Sequence, residues 1–345
     1  MNTTRREFLG TAALAAAGLS MAAKAAPVPA KPDVIWSYLI HLGMNNWKDI
    51  PLERCPPDAP EPFRTRCCAD YLRTEESEWN FMIDRLAKSG ANMVIIDLGE
   101  GMALPSHPEL AVKGTWSVEK MRKELARLRG LGLEPIPKFN FSACHDSWLK
   151  EYGRMVSTST YYKVCADVIR DTIEIFDHPR FFHLGYDEET AGHQSTHEMV
   201  VIRQGELWWH DFLWFVRQVE GQGVRPWIWS DYCWNHKEEF LKRMPRSVLQ
   251  SNWYYGAAFE TAKDSARNRV QTYVDLDKAG FDQVPTGSNW SCDTNFADTV
   301  RFCRANCSKE HLKGFMMAPW QRTIALHHDK AVCGIDQLGA AVKAW

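Results

Sequence analysis

Apolar, β-rich runs recur along this chain at 33–43, 91–98, 133–141, 180–186, 224–230, 247–254, 281–290 and 312–320, and each is followed by a helical pattern. This alternation constrains the fold more than any other feature, because a strand that returns through a helix comes back parallel to its predecessor. The second run, ANMVIIDL, is apolar almost throughout, as a strand covered on both faces must be. Between the first two runs, Trp79, Met82, Ile83, Leu86 and Ala87 repeat at helical spacing and stop at Ser89-Gly90. Ser117 predicts the N-cap of a second helix, whose apolar face is Val118, Met121, Leu125 and Leu128. A third helix over about 160–177 buries Cys165, Val168, Ile169, Thr172 and Phe176, and a Trp-rich fourth over about 205–220 buries Trp208, Phe212, Phe215, Val216 and Val219. Eight such units in one unbroken body predict an α/β fold of the closed (β/α)8 TIM-barrel kind in a single domain, residues 26–345. No glycine-rich phosphate fingerprint follows the first run, which argues against an open dinucleotide-binding sheet.

The first residues carry a different signal. Arg5-Arg6 stand directly before a short Ala- and Leu-rich stretch, and Ala23-Lys24-Ala25 has the small-x-small form of a cleavage site. Residues 1–25 are therefore expected to be a twin-arginine signal peptide that delivers the protein to the periplasm or outside the cell. No later apolar run is long enough to span a bilayer, and with a formal net charge of −2 and no basic cluster in sequence, nucleic acid is not an expected partner. Export permits disulfides among the ten cysteines. Cys55 with Cys67 or Cys68, and Cys303 with Cys307 or Cys292, are candidates, whereas Cys165 and Cys233 are expected as buried free thiols.

In a barrel of this kind the chemistry sits where the strands end. Those ends carry Asn45, Asn46 and Trp47; Glu100; Asn140 and His145; Asp187 and Glu188; Trp229 and Asp231; Trp253, Tyr254 and Tyr255; Trp290; and Trp320. Carboxylates, amides, phenols and indoles converge, while no Lys or Arg cluster appears at the strand ends. The set suits an uncharged, polyhydroxylated ligand whose sugar faces stack on some of the 15 Trp residues. The pair Asp187-Glu188 is the expected catalytic centre, because adjacent carboxyl groups in a dry pocket push their pKa values apart, leaving one as acid and one as anion. His193, His197 and the run His327-His328-Asp329 do not match a zinc-protease spacing and read as surface groups, so neither a metal nor another cofactor is expected.

The segment FHLGYDE at 182–188 resembles the His-x-Gly-Gly-Asp-Glu motif of glycoside hydrolase family 20, the β-N-acetylhexosaminidases. His107-Pro108-Glu109-Leu110 followed by Trp116-Ser117, the pair Ile136-Pro137, His145, Trp229-Ser230-Asp231 and GFMMAPW at 314–320 are similar to that family's stretches in the same order. The chain departs from the pattern in carrying Tyr186 at the second Gly, Lys138 and Asn140 on the third strand, no Arg after the first strand, and no length for a preceding α/β domain. The resemblance implies a divergent member that cleaves a terminal sugar with retention, the sugar's own 2-acetamido oxygen being the nucleophile. It implies Glu188 as acid and base, Asp187 as the partner of the acetamido group, Tyr255 or Tyr254 as a donor to its oxygen, and Trp229, Trp290 and Trp320 as walls. Two other readings of the same residues are a glycosidase on a sugar without an acetamido group, pairing Glu188 with Asp231, Glu100 or Asp187, and a glycan-binding barrel without turnover.

Overall fold

The computed structural model describes residues 34–257, 259–260 and 264–345, the side chains of 264 and 265 excepted. The twin-arginine segment and its cleavage site lie outside the described residues. From Asp33 to Trp345 the chain forms one compact unit.

All eight predicted strands are present: β1 Ile35–His41, β2 Met93–Asp97, β3 Glu134–Lys138, β4 Phe181–His183, β5 Arg225–Trp229, β6 Leu249–Ser251, β7 Thr286–Gly287 and β8 Gly314–Met317. They pair in parallel in the order β6-β5-β4-β3-β2-β1-β8-β7. The ring closes between β6 and β7 through parallel bridges from Gln250 to Gln283 and from Trp253 to Thr286. Outside it run the helices α1 Glu76–Ser89, α2 Val118–Gly130, α3 Ser159–Ile175, α4 Glu206–Glu220, α5 Lys237–Arg243, α6 Asp264–Lys278, α7 Asn295–Asn306 and α8 His328–Ala344. The local signals act as read: Ser117 Oγ accepts the Lys120 N–H at 3.1 Å, and Gly90 takes φ +91° after α1.

Several strands are shorter than their apolar runs. The run at 281–290 keeps only Thr286–Gly287 in regular pairing, and the run at 180–186 keeps only Phe181–His183. In the second case the Gly185 N–H turns back onto His183 Nδ1 at 3.0 Å instead of pairing with a neighbouring strand, although Leu184 and the Gly185 carbonyl still bond to the chain on either side.

The alternation of a strand sorts side chains into two cores. Trp36, Tyr38, Ile40, Val94, Ile96, Phe182 and Ile228 face the helices and join the large outer core. Ile35, Leu39, Met93, Ile95, Ile136, Phe181, Trp227 and Leu249 fill the barrel's inside. Toward the C-terminal ends of the strands this inner filling turns polar. Lys138 Nζ donates to Asp97 Oδ2 at 2.8 Å, with both side chains only 1% exposed. Asn46 Nδ2 reaches the same oxygen at 3.0 Å and His41 Nδ1 stands 3.2 Å from it. Burial works to raise the Asp97 pKa, but Lys138 and His41 outweigh it and hold the carboxyl well below its usual range. His183, buried and facing Lys138, is driven toward its neutral form.

The ten cysteines are free thiols. The loop after β1, which a Cys55 bridge was expected to pin, is held by its backbone instead: Cys68 N–H donates to Ile50 O at 2.8 Å and Leu52 N–H to Cys68 O at 2.6 Å. Likewise Cys303, Cys307 and Cys292 remain unbridged.

A buried ion pair with one partner removed leaves an uncompensated charge. Lys138→Met is therefore expected to destabilise the barrel by about 3–5 kcal/mol, and Asp97→Asn combined with it to recover most of the loss. Urea unfolding of the two variants checks this, and a single variant within about 0.5 kcal/mol of the parent would show that the pair does not support the barrel.

Candidate active site

The site is built around the turn that ends β4. Gly185, Tyr186 and Glu188 adopt φ of +67°, +71° and +57°. A regular strand would send Asp187 and Glu188 to opposite faces; this left-handed turn brings both to the barrel mouth. Asn140, just beyond β3, holds the turn. Its Oδ1 accepts the Tyr186 N–H at 3.0 Å and the Ser142 N–H at 3.1 Å, and its Nδ2 donates to Asp187 Oδ1 at 2.7 Å. Gly185 is required there, since a Cβ would stand 2.3 Å from Asn140 Oδ1. Tyr186 tolerates its left-handed backbone by burying its ring in the outer core, among Trp208, Phe212 and Phe215 of α4.

Above this turn lies a pocket of about 480 Å³. Asp187, Glu188, His145, Trp253, Tyr254, Tyr255, Trp290 and Trp320 line it as expected from the strand ends. Tyr255 Oη accepts the Trp320 Nε1–H at 2.9 Å, which leaves the phenol's own proton for a ligand. Trp253 stacks on Tyr255 at 5.0 Å, and Trp290 stands 44% exposed at the rim.

Four of the expected site residues fall outside the lining. Glu100 is buried and its carboxylate accepts the Met44 and Asn45 N–H groups, each at 2.8 Å. Asn45 clamps Ala69 with both ends of its amide, at 2.7 and 2.9 Å. These two shape the loop after β1 rather than touch its cavity, because backbone donors leave them no free edge. Trp229 points into the barrel, 4.5 Å from the His183 ring and 5.6 Å from Trp320, and so supports the floor. Asp231 lies behind Glu188, accepting its N–H at 3.0 Å. Of the second carboxylates a two-carboxylate mechanism would draw on, only Asp187 shares the lining with Glu188.

His193 is exposed, as the surface reading expected, yet it also reaches the site. It lines the pocket and its Nε2 lies 3.2 Å from Glu188 Oε1, while His145 Nε2 lies 3.2 Å from Oε2. Burial works to raise the Glu188 pKa, but the hydrogen bonds from His145 and His193 prevail and hold the carboxylate ionised. Burial opposes the charge on His145 as well, yet Cys144, Asp187 and Glu188 together lift its pKa well above the usual value. Asp187 moves the other way, raised first by burial and then by Glu188. The two pKa values are pushed apart as expected, but in the opposite sense: Glu188, the expected acid, is shifted down and Asp187 up.

The sequence also missed the cations. Lys48, Arg66 and Arg269 line the pocket, although none lies at a strand end. Lys48 and Arg66 come from the long loop after β1 and Arg269 from α6, so only tertiary folding brings them to this mouth. Trp234, which donates from Nε1 to Asn252 Oδ1 at 2.8 Å, joins the aromatic wall in the same way.

The donors of His145, Asp187 and Glu188 lie within 4.8 Å of one another and are the group best placed to hold a metal ion among the described residues. They are already engaged: Glu188 with both histidines and Asp187 with Asn140. The arrangement is a hydrogen-bonded relay more than an open ligand set.

Asp231 yields a pH test. Burial, followed by the charge of Asp187, raises its pKa from 3.8 to about 8. A carboxyl whose folded pKa is raised contributes stability that is present below its unfolded value and lost as pH rises through the folded one. Asp231→Asn keeps an acceptor for the Glu188 N–H but removes the titration. Its melting temperature relative to the parent is expected to climb by roughly 3 °C or more as pH goes from about 5 to about 9. Parallel melting curves across that range would contradict the assignment.

No protein-family model matches the chain, and no curated protein matches it. Its fold does match solved structures. An exo-β-N-acetylglucosaminidase of family 20 from Vibrio harveyi, in complex with N-acetylglucosamine, aligns with TM-score 0.55 at 11% identity over 88% of this chain and 54% of that one. A β-N-acetylhexosaminidase from Bacteroides fragilis aligns with TM-score 0.60 at 12% identity over 89% of this chain and 66% of that one. Dispersin B aligns with TM-score 0.53 at 15% identity over 78% of this chain and 95% of that one. This chain therefore spans little more than half of the Vibrio enzyme and about two thirds of the Bacteroides one, and at these identities the likeness is one of fold: the (β/α)8 barrel resembles the family 20 catalytic barrel.

Proposed function

We propose that this chain is an exported glycoside hydrolase of β-N-acetylhexosaminidase type, which releases a terminal 2-acetamido sugar with retention. The observation that carries the reading is the Asp187-Glu188 pair, turned into one aromatic pocket at the end of β4 and tied there by Asn140 and His145. Each role follows from position. The substrate's acetamido oxygen attacks the anomeric carbon as Glu188 protonates the departing glycosidic oxygen, and the C–O bond breaks. Asp187 accepts the acetamido N–H and faces the positive ring that forms. Tyr255, with its proton to give, donates to the acetamido oxygen. Water then attacks the same carbon and yields a proton to Glu188, which is restored as acid while the acetamido ring reopens.

Glu188 must hold a proton for the first step, whereas the hydrogen bonds from His145 and His193 favour its ionised form. His145 supplies the proton across the 3.2 Å contact. A bound sugar displaces water, and a drier site penalises the imidazolium–carboxylate pair relative to the neutral imidazole and carboxylic acid. Substrate binding thus arms the acid.

The other two readings find less support. A glycosidase without an acetamido requirement would have to draw its second carboxylate from Asp187, which Asn140 already holds, because Asp231 and Glu100 are committed to backbone N–H groups outside the lining. A barrel that only binds glycans has use for the aromatic walls but none for a carboxylate flanked by two histidines.

Glu188→Gln keeps the shape of the side chain and removes the proton. Turnover on a β-N-acetylhexosaminide is expected to fall by about a thousandfold with little change in melting temperature, and a thiazoline mimic of the cyclic intermediate to inhibit the parent. A Gln variant that retains most of its activity would refute the role. The export reading rests on Arg5-Arg6 and the stretch that follows. Replacing both arginines by Lys is expected to trap the protein in the cytoplasm with its first residues uncleaved; unchanged export would reject the twin-arginine route.

A further inference from the structure

The pocket's charges do not suit a neutral ligand. Lys138 is paired with Asp97 and the two histidines share Glu188, but Lys48 and Arg66 have no carboxylate partner among the described residues. Lys48 is 7% exposed, and its ammonium donates to Thr196 Oγ1 and lies 4.8 Å from the Phe63 ring. The nearby acid Asp49 is occupied, accepting the Glu198 and Met199 N–H groups at 2.8 and 2.9 Å. The Arg66 guanidinium lies over the Trp290 ring at 5.9 Å and makes no side-chain hydrogen bond or ion pair to any described residue. Burial and then the charge of Arg66 lower the Lys48 pKa, so the two cations repel each other across the same wall. A folded chain bears such a cost where a bound anion relieves it, since ammonium and guanidinium donors bind an anionic oxygen about twice as strongly as neutral donors do.

We infer that Lys48 and Arg66 form a cradle for an anionic substituent, a sulfate ester or a uronate carboxylate, carried by the glycan; this rests on the reading of the pocket as a glycan site. Lys48 keeps two of its three N–H donors for that group, and Arg66 offers its planar fork. The indoles beside them, Trp47 and Trp290, stack on the sugar that bears it. The natural substrate is then an acidic glycan, and the uncharged ligand implied by the strand ends alone is replaced by one that matches the whole mouth.

The test measures binding rather than turnover. Matched oligosaccharides ending in a β-N-acetylhexosaminide are titrated calorimetrically into the Glu188→Gln protein: one unsubstituted, one with a 6-O-sulfate, one with a neighbouring uronate. At least one anionic member is expected to bind about tenfold or more tightly than the neutral one at low salt, with the gap closing toward about 1 M salt. The two anionic arms identify which group the cradle takes. Adding Lys48→Met and Arg66→Met is expected to bring the anionic-to-neutral ratio down to about one. Should the double variant fail to fold, Arg66→Gln alone, at the more exposed position, is expected to lower the ratio by about threefold or more. Equal binding of all three ligands, a ratio that survives the substitutions, or parallel loss of neutral and anionic binding, as a plain hydroxyl clamp would give, each overturns the inference. Retained turnover in Glu188→Gln would refute the catalytic assignment instead, and the binding ratio is read independently of it.

Discussion

One side-chain amide organises the mouth of this barrel. Asn140 receives two backbone N–H groups at Oδ1 and gives Nδ2 to Asp187, so a single residue sets both the path of the chain leaving β4 and the orientation of the first carboxylate of the pair. The left-handed residues Gly185, Tyr186 and Glu188 would cost free energy in an isolated peptide, and they persist because the surroundings over-determine them. Tyr186 shows how. Its backbone takes a conformation that glycine adopts freely, and the penalty is offset by burying an aromatic ring against α4. A departure from the family motif that looks damaging on paper is thereby absorbed by the core.

Beneath this turn the barrel changes character in steps. Aliphatic and aromatic side chains fill its lower part, then comes the buried Asp97–Lys138 pair with His41 and His183, and only then the pocket. Each layer sets the electrostatics of the next. Lys138 and burial keep His183 neutral, which leaves its Nδ1 free to accept the Gly185 N–H and start the turn. Farther out, two histidines favour the ionised form of Glu188, while burial raises the pKa of Asp187 and Asp231.

The loops give the pocket its particular character. Glu100 and Asn45 bind the loop after β1 from beneath, and the buried Glu189–Arg203 pair joins the loops after β3 and β4 through the Ala143 N–H and the Phe141 carbonyl. Acidic and amide residues at strand ends therefore divide into those that face the cavity and those that hold loops facing it. Residue type does not distinguish them, and Asn140 does both.

The alternation of apolar runs and amphipathic helices by itself determined the barrel, the number of its strands and the end at which the chemistry lies, because a two-residue and a 3.6-residue periodicity are local properties of the chain. The Asp187-Glu188 pair was legible for the same reason: it closes a strand whose own residues mark it as buried. Tertiary structure alone decided that Trp229, Glu100, Asn45 and Asp231 stand behind the cavity, that His193 reaches Glu188, in which direction each carboxyl of the pair is shifted, and that Lys48, Arg66 and Arg269 charge the mouth. The physical reason is common to all of these. Burial, hydrogen-bond partners and Coulomb interactions act between groups that meet only in the folded chain, and no local pattern records which loop will close over which strand end.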